Sequence, residues 1–181
     1  MKYVVLLRGV NVGGNNRVPK AEFKQVLEGL GLRDVIIYIN SGNAVVTSDN
    51  ELRAGDIRQA LENHFGFIIP TLVLSAEKVC AIADAIPGAW TNDPPSPDKS
   101  GQKSDVLYLF DEVNAPATLT TIGYRPEVET MHYVDGAILT NIPRRNQSRY
   151  SLLKVIGTPL YKQITVRNIT TARKLAELVR A

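Results

Sequence analysis

A chain of 181 residues with 44% hydrophobic and 22% charged residues has the composition of an ordinary globular protein and is long enough to bury a real core. A single cysteine, Cys80, excludes an internal disulfide framework and suits a reducing compartment. No apolar run reaches the length of a membrane span, and the opening segment is patterned as a strand rather than a secretory leader, so a cytoplasmic protein is expected.

Net charge is +3 overall but unevenly placed. Residues 1–135 carry 12 Lys and Arg against 17 Asp and Glu; residues 136–181 carry 9 against Glu177 alone. This asymmetry points either to an anionic partner for the last quarter or to packing of that quarter against the acidic remainder.

Lys2 to Arg8 reads as a strand with apolar residues on both faces, the mark of a central strand covered on both sides. Gly9-Val10-Asn11-Val12-Gly13-Gly14-Asn15-Asn16 follows, a loop whose glycines and asparagines permit positive φ. Pro19 suits the first turn of a helix running to Leu30, with Phe23, Val26, Leu27 and Leu30 as its stripe and Gly31 as its stop. Strand, glycine-rich turn and helix start can bind an anion through backbone N–H groups. The spacing matches neither the dinucleotide fingerprint nor the P-loop, so a shaped turn without a ligand carries equal weight.

Val35 to Ile39 reads as a second two-faced strand, Asn40-Ser41-Gly42-Asn43 as a hairpin turn, and Ala44 to Thr47 as the returning strand. Asp49 or Asn50 can cap a helix through about His64, and Phe67 to Leu74 is a fourth strand. The order is β-α-β-β-α-β, the ferredoxin-like pattern. Ser75 caps a connecting helix that places Val79, Cys80, Ala83 and Ile86 inward. Residues 87–104 follow as a proline-rich linker or flap, with Trp90 anchoring one end.

The pattern then restarts. Asp105 to Phe110 is a strand and Ala115 to Ile122 a short helix or turn region. Glu129 to Val134 and Ala137 to Thr140 pair across Asp135-Gly136. Ser148 can cap a helix through Tyr150, Leu152, Leu153 and Ile156 to Gly157; Ile164 to Arg167 is a strand; Asn168 or Thr170 caps a last helix. The expected fold is therefore α+β: two ferredoxin-like (βαββαβ) halves, residues 1–86 and 105–181, joined by 87–104, with an added C-terminal helix.

His64 and His132 are isolated, carboxylates are scattered, and no nucleophile–base pair can be argued, so no catalytic residue, metal site or cofactor is assigned. What remains is a polar set at strand ends: Arg8, Asn11, Gly13, Gly14 and Asn15; Ser41 and Asn43; Arg167 and Asn168. Such residues suit a small phosphate- or carboxylate-bearing ligand held between the halves, because a guanidinium offers a bidentate fork. The competing readings are turn chemistry for Asn40–Asn43 and an N-cap for Asn168. A second function is nucleic-acid binding through Arg144, Arg145, Arg149, Lys154 and Lys162, with Tyr150 and Tyr161 stacking on bases. A third is a protein-interaction or scaffold role.

At LLRGVNVGGNNRVP, YINSGN and TVRNITTARKL the sequence resembles a widespread bacterial family known as domain of unknown function 1697. Arg8, Gly9, Asn11 and Val12 through Asn15 fit its opening motif. Tyr38, Ile39, Ser41, Gly42 and Asn43 fit its second, with Asn40 where glutamine is common. Arg167, Asn168, Thr171, Lys174 and Leu175 fit its third, with Ile169 where tryptophan is usual; Lys20 likewise stands where methionine is usual. The resemblance implies two ferredoxin-like halves and no established activity.

Overall fold

The computed structural model describes all 181 residues, which fall into two compact units. The first comprises Met1–Val79 with Leu175–Ala181, the second Cys80–Lys174.

In the first unit β1 (Lys2–Leu7) leads into α1 (Lys20–Gly29), then β2 (Arg33–Tyr38), β3 (Asn43–Thr47), α2 (Ala54–Phe65) and β4 (Thr71–Ser75). The sheet order is β2-β3-β1-β4, with every neighbouring pair antiparallel. Tyr3, Val5 and Leu7 on one face of β1 join Phe23 and Leu27 of α1 and Ile57 and Leu61 of α2 in one core. Burying each such side chain contributes about 1.5–3 kcal/mol. Val4 and Leu6, on the other face, are also fully buried, which is why the run shows no polar alternation.

β2 departs from its expected two-faced burial. It is an edge strand, with Ile36 exposed by 43% and Ile39, just past its end, by 40%. An apolar run alone does not distinguish edge from centre. The helix expected from Asp49 or Asn50 begins later, at Ala54. Asp49 pairs instead with Arg33, and Ser48 Oγ bonds both the N–H and the carbonyl of Asn50, holding this stretch as a turn. The fourth strand starts only after Pro70, whose ring removes a ladder donor. The connecting helix α3 (Ala76–Asp84) begins where Ser75 Oγ accepts from Lys78 N; Cys80 on it is half-buried while Val79, Ile82 and Ala83 are buried.

In the second unit β5 (Gln102–Leu109), β6 (Thr130–Val134), β7 (Ala137–Pro143) and β8 (Ile164–Asn168) form the sheet β6-β7-β5-β8, again antiparallel and with the same topology. Its crossovers are lighter. The first holds a 3-10 turn (Asp111–Val113) and α4 (Thr118–Ile122); the second holds a 3-10 helix (Arg144–Arg149), α5 (Leu152–Val155) and α6 (Pro159–Lys162). The single helix expected from Ser148 to Gly157 is thus broken. Ser151, at its middle, is buried and bonded through N–H to Glu129 and through Oγ to the Gly123 carbonyl, so it cannot continue a regular turn. After β8, α7 (Ile169–Arg180) closes the chain. Leu107, Leu109, Ile138, Ile142 and Tyr150 build this unit's core.

Candidate functional site

In the first unit the glycine-rich loop folds back on itself. Val12 and Asn15 bridge across Gly13-Gly14, whose φ values of 59° and 80° match the primed turn that two-residue hairpin loops require. Asn15 N–H donates to the Val12 carbonyl and Asn11 N–H to the Asn16 carbonyl, so two amides of the loop are committed inside it. Asn11 is the brace. Its Nδ2 donates to the carbonyls of Val18 and Asn40, and its Oδ1 accepts from Val18 N–H, tying the loop to the segment leading into α1 and to the β2–β3 turn.

That turn is shaped by Asn43, which is fully buried and donates to the Tyr38 carbonyl (3.1 Å) and to Ser41 Oγ (2.8 Å). Arg8 is half-buried and its backbone N–H bonds the Pro70 carbonyl. Gly13, Gly14 and Asn15 are exposed and Ser41 is half-buried. Asn11 thus joins the first loop to the β2–β3 turn, Asn43 holds Ser41 within that turn, and the asparagines build the turns.

In the second unit Arg167 is only 8% exposed. Its Nη1 donates to Thr165 Oγ1 and to the Val166 carbonyl. Burial pulls the guanidinium down to about 10, with Tyr108 acting the other way, and it remains a cation at neutral pH. Burial likewise pushes the Tyr108 phenol up. Asn168 Oδ1 accepts from Thr171 N–H at 2.8 Å, an N-cap for α7.

The basic segment presents a different picture. The loop from Thr91 to Gln102 closes on itself: Asp93 N–H donates to the Gln102 carbonyl, and Gln102 N–H returns to Asp93 Oδ2 at 2.7 Å. These bonds, chiefly that of Gln102 and then that of the Thr91 hydroxyl, hold the Asp93 carboxyl below its usual range. Arg144 pins the loop to the 3-10 helix, its N–H bonding the Gly101 carbonyl and its side chain the Asp93 carbonyl. At the far end of the same helix Arg125 bonds the Arg149 carbonyl, and Asn146 bonds that of Val128. The segment Arg144–Arg149 is thereby held at both ends.

Two clefts open beside it. One, of about 340 Å³, is lined by Pro95, Ser96, Lys99, Arg144, Arg145, Gln147, Ser148 and Leu153. The other, of about 330 Å³, is lined by Arg125, Ser148, Arg149, Tyr150, Leu153 and Lys154. No carboxylate lines either, and Ser148 and Leu153 belong to both. Lys99, Arg145, Arg149 and Lys154 are exposed and form no ion pair. Lys162, at the end of α6, lines neither cleft. Charge alone singles out Arg144, Arg145, Arg149 and Lys154; Lys99 and Arg125 lie in other segments and carry no such signal.

The aromatics expected to stack on bases are placed otherwise. Tyr150 is 2% exposed, its hydroxyl lies 2.5 Å from Thr140 Oγ1, and burial with the charges of Asp105 and Glu129 pushes its phenol up. Tyr161 is half-buried against the core. Trp90 stacks on His132 at 5.6 Å, and Arg173 donates to its carbonyl. No group of three or more His, Cys, Asp or Glu side chains is gathered as a metal centre would need. No helix is long and apolar enough to cross a membrane.

The fold defines an α+β protein with two antiparallel four-stranded units of ferredoxin-like topology. Residues 1–139 match the family described as "Protein of unknown function (DUF1697)", and the chain belongs to that family. The solved structure of the conserved bacterial protein SP0830 from Streptococcus pneumoniae is similar to it, at 28% identity and a TM-score of 0.77 over 98% of each chain. No curated protein matches the sequence.

Proposed function

We propose that this protein binds a small anionic, phosphate-bearing ligand on the basic face of its second unit. The observation that supports this reading is the placement of Lys99, Arg145, Arg149 and Lys154 around two adjoining clefts whose linings hold no carboxylate. Four exposed cations on a braced backbone repel one another in the free protein. An anion relieves that repulsion, and guanidinium groups meet phosphate oxygens in a bidentate geometry. Each cleft lies at the small end of the ~300–1,000 Å³ typical of small-molecule sites.

The test is calorimetric titration of the full chain with orthophosphate at low and moderate salt, beside the Arg145→Ala variant. Binding that weakens with salt and falls in the variant supports the reading. Absence of heat at millimolar phosphate, with a normal circular dichroism spectrum, rejects it.

A further inference from the structure

From the way the two clefts adjoin, and resting on the anion-binding reading above, we infer that the ligand is a small molecule carrying two or more linked phosphoryl groups, one seated in each cleft. Ser148 and Leu153 wall both clefts, so the cleft with Lys99 and Arg145 neighbours the cleft with Arg149 and Lys154, and no acidic residue lines either. A single phosphate seated in one cleft leaves the cations of the other uncompensated. A chain of phosphates neutralises both, and the second contact is made intramolecularly, at an effective concentration set by the phosphoanhydride link.

The backbone between the clefts is fixed in advance. Arg144 ties its first residue to the Gly101 and Asp93 carbonyls, Arg125 ties the Arg149 carbonyl, and Ser151 N–H is held by the buried Glu129. These side chains position the site, and the four unpaired cations are left to meet the ligand. Preorganisation of this kind cuts the ordering cost of binding.

Nucleic acid also offers linked phosphates, but a single-stranded polynucleotide needs open ring faces for its bases. The furrow has none. Tyr150, the one aromatic in its lining, is 2% exposed and has Lys103 Nζ 5.1 Å from its ring centre. The remaining apolar lining is Pro95 and Leu153. The site reads phosphate and has little with which to read a base.

The experiment is isothermal titration of the full chain, at constant ionic strength, with orthophosphate, tripolyphosphate and an oligothymidylate of about 12 nucleotides. The wild type and the variants Arg145→Ala and Lys154→Ala, one for each cleft, are compared. Tripolyphosphate is expected to bind on the order of 100-fold more tightly than orthophosphate. Either variant should remove most of that gain while lowering orthophosphate affinity by a smaller factor, whereas Lys162→Ala, which removes the same charge outside both clefts, should leave the gain intact. A chain-length gain below about tenfold overturns the inference while leaving single-anion binding intact. So does a gain that survives both variants, or an oligothymidylate that binds more tightly than tripolyphosphate. If neither orthophosphate nor tripolyphosphate binds, the anion-binding reading itself falls.

Discussion

Gly42 sits at the joint where the β2–β3 turn meets the end of β1, and replacing it with alanine tests how that joint is packed. Its carbonyl accepts from Leu7 N–H at 2.7 Å and its φ is +71°. A Cβ built there lies 2.6 Å from Leu7 Cβ and 2.8 Å from Val10 Cγ2, against the ~3.5–4.0 Å at which carbon atoms attract. Both neighbours are buried in the core, so neither can swing aside. The left-handed backbone costs an alanine about 1–2 kcal/mol, and forcing a methyl into a filled space adds about 1–3 kcal/mol. A stiffer unfolded chain returns about 0.4–1 kcal/mol. The expected loss for Gly42→Ala is therefore about 3 kcal/mol, within a span of about 1–5 kcal/mol.

Gly13→Ala is the control. Its φ is +59° but nothing lies within 4 Å of its Cβ position, so only the backbone cost applies, about 1 kcal/mol net. Urea unfolding should be followed by far-UV circular dichroism, because the one tryptophan, Trp90, lies in the second unit and reports on that unit. Equal losses for the two variants would refute the packing argument and leave conformation alone as the reason for glycine at both sites.

Three further outcomes follow from single side chains. Asn43→Ala removes a fully buried donor to the Tyr38 carbonyl and should cost about 1–3 kcal/mol in the same urea assay; a loss under a few tenths would mean that water replaces it. Asn168→Ala removes the cap on Thr171 N–H and should cost about 1 kcal/mol, whereas Asn168→Asp, which keeps an acceptor, should cost little. Asp93 has a depressed folded-state pKa, so the hold it gives the Thr91–Gln102 loop is present above the ordinary aspartate value of about 3.9 and is lost as pH falls through the lower folded one. Carboxyl NMR should show that midpoint below the ordinary value, returning upward in Thr91→Val; an unshifted midpoint would mean that the carboxyl does not hold the loop.

The parts of this fold legible in sequence are those where local chemistry and burial agree. Lys2–Leu7 is apolar on both faces and is the buried centre of its sheet; Asp135-Gly136 turns β6 into β7 with Val134 opposite Ala137. Pattern misleads where tertiary contacts override it. Val35 to Ile39 has the composition of a central strand and lies at an edge. The helix read from Ser148 to Gly157 keeps its apolar spacing and is broken because buried Glu129 and the Gly123 carbonyl claim Ser151. The clefts are the least legible feature. Their walls come from residues 95–99, 125 and 144–154, and what joins them is a loop closed by Asp93, whose bonds leave no periodicity in the sequence.

A charge count over residues 136–181 treats nine basic side chains alike, but the fold sorts them. Arg167 is buried, bonded to its own strand, and held below its usual pKa by the loss of water around it. Arg173 is bonded to the carbonyls of Pro87 and Trp90, and Arg144 to that of Asp93. These three cations donate to backbone carbonyls of loops or strands, and removing any of them takes a charged donor from that backbone. Arg145, Arg149 and Lys154 have no such partner. They enter no ion pair, so an arriving anion displaces counterions rather than protein contacts. Salt should then weaken anion binding steeply while leaving the urea midpoint of the second unit nearly unchanged, because Arg167 is buried and Arg144 half-buried, shielded from the solvent ions that screen the exposed cations.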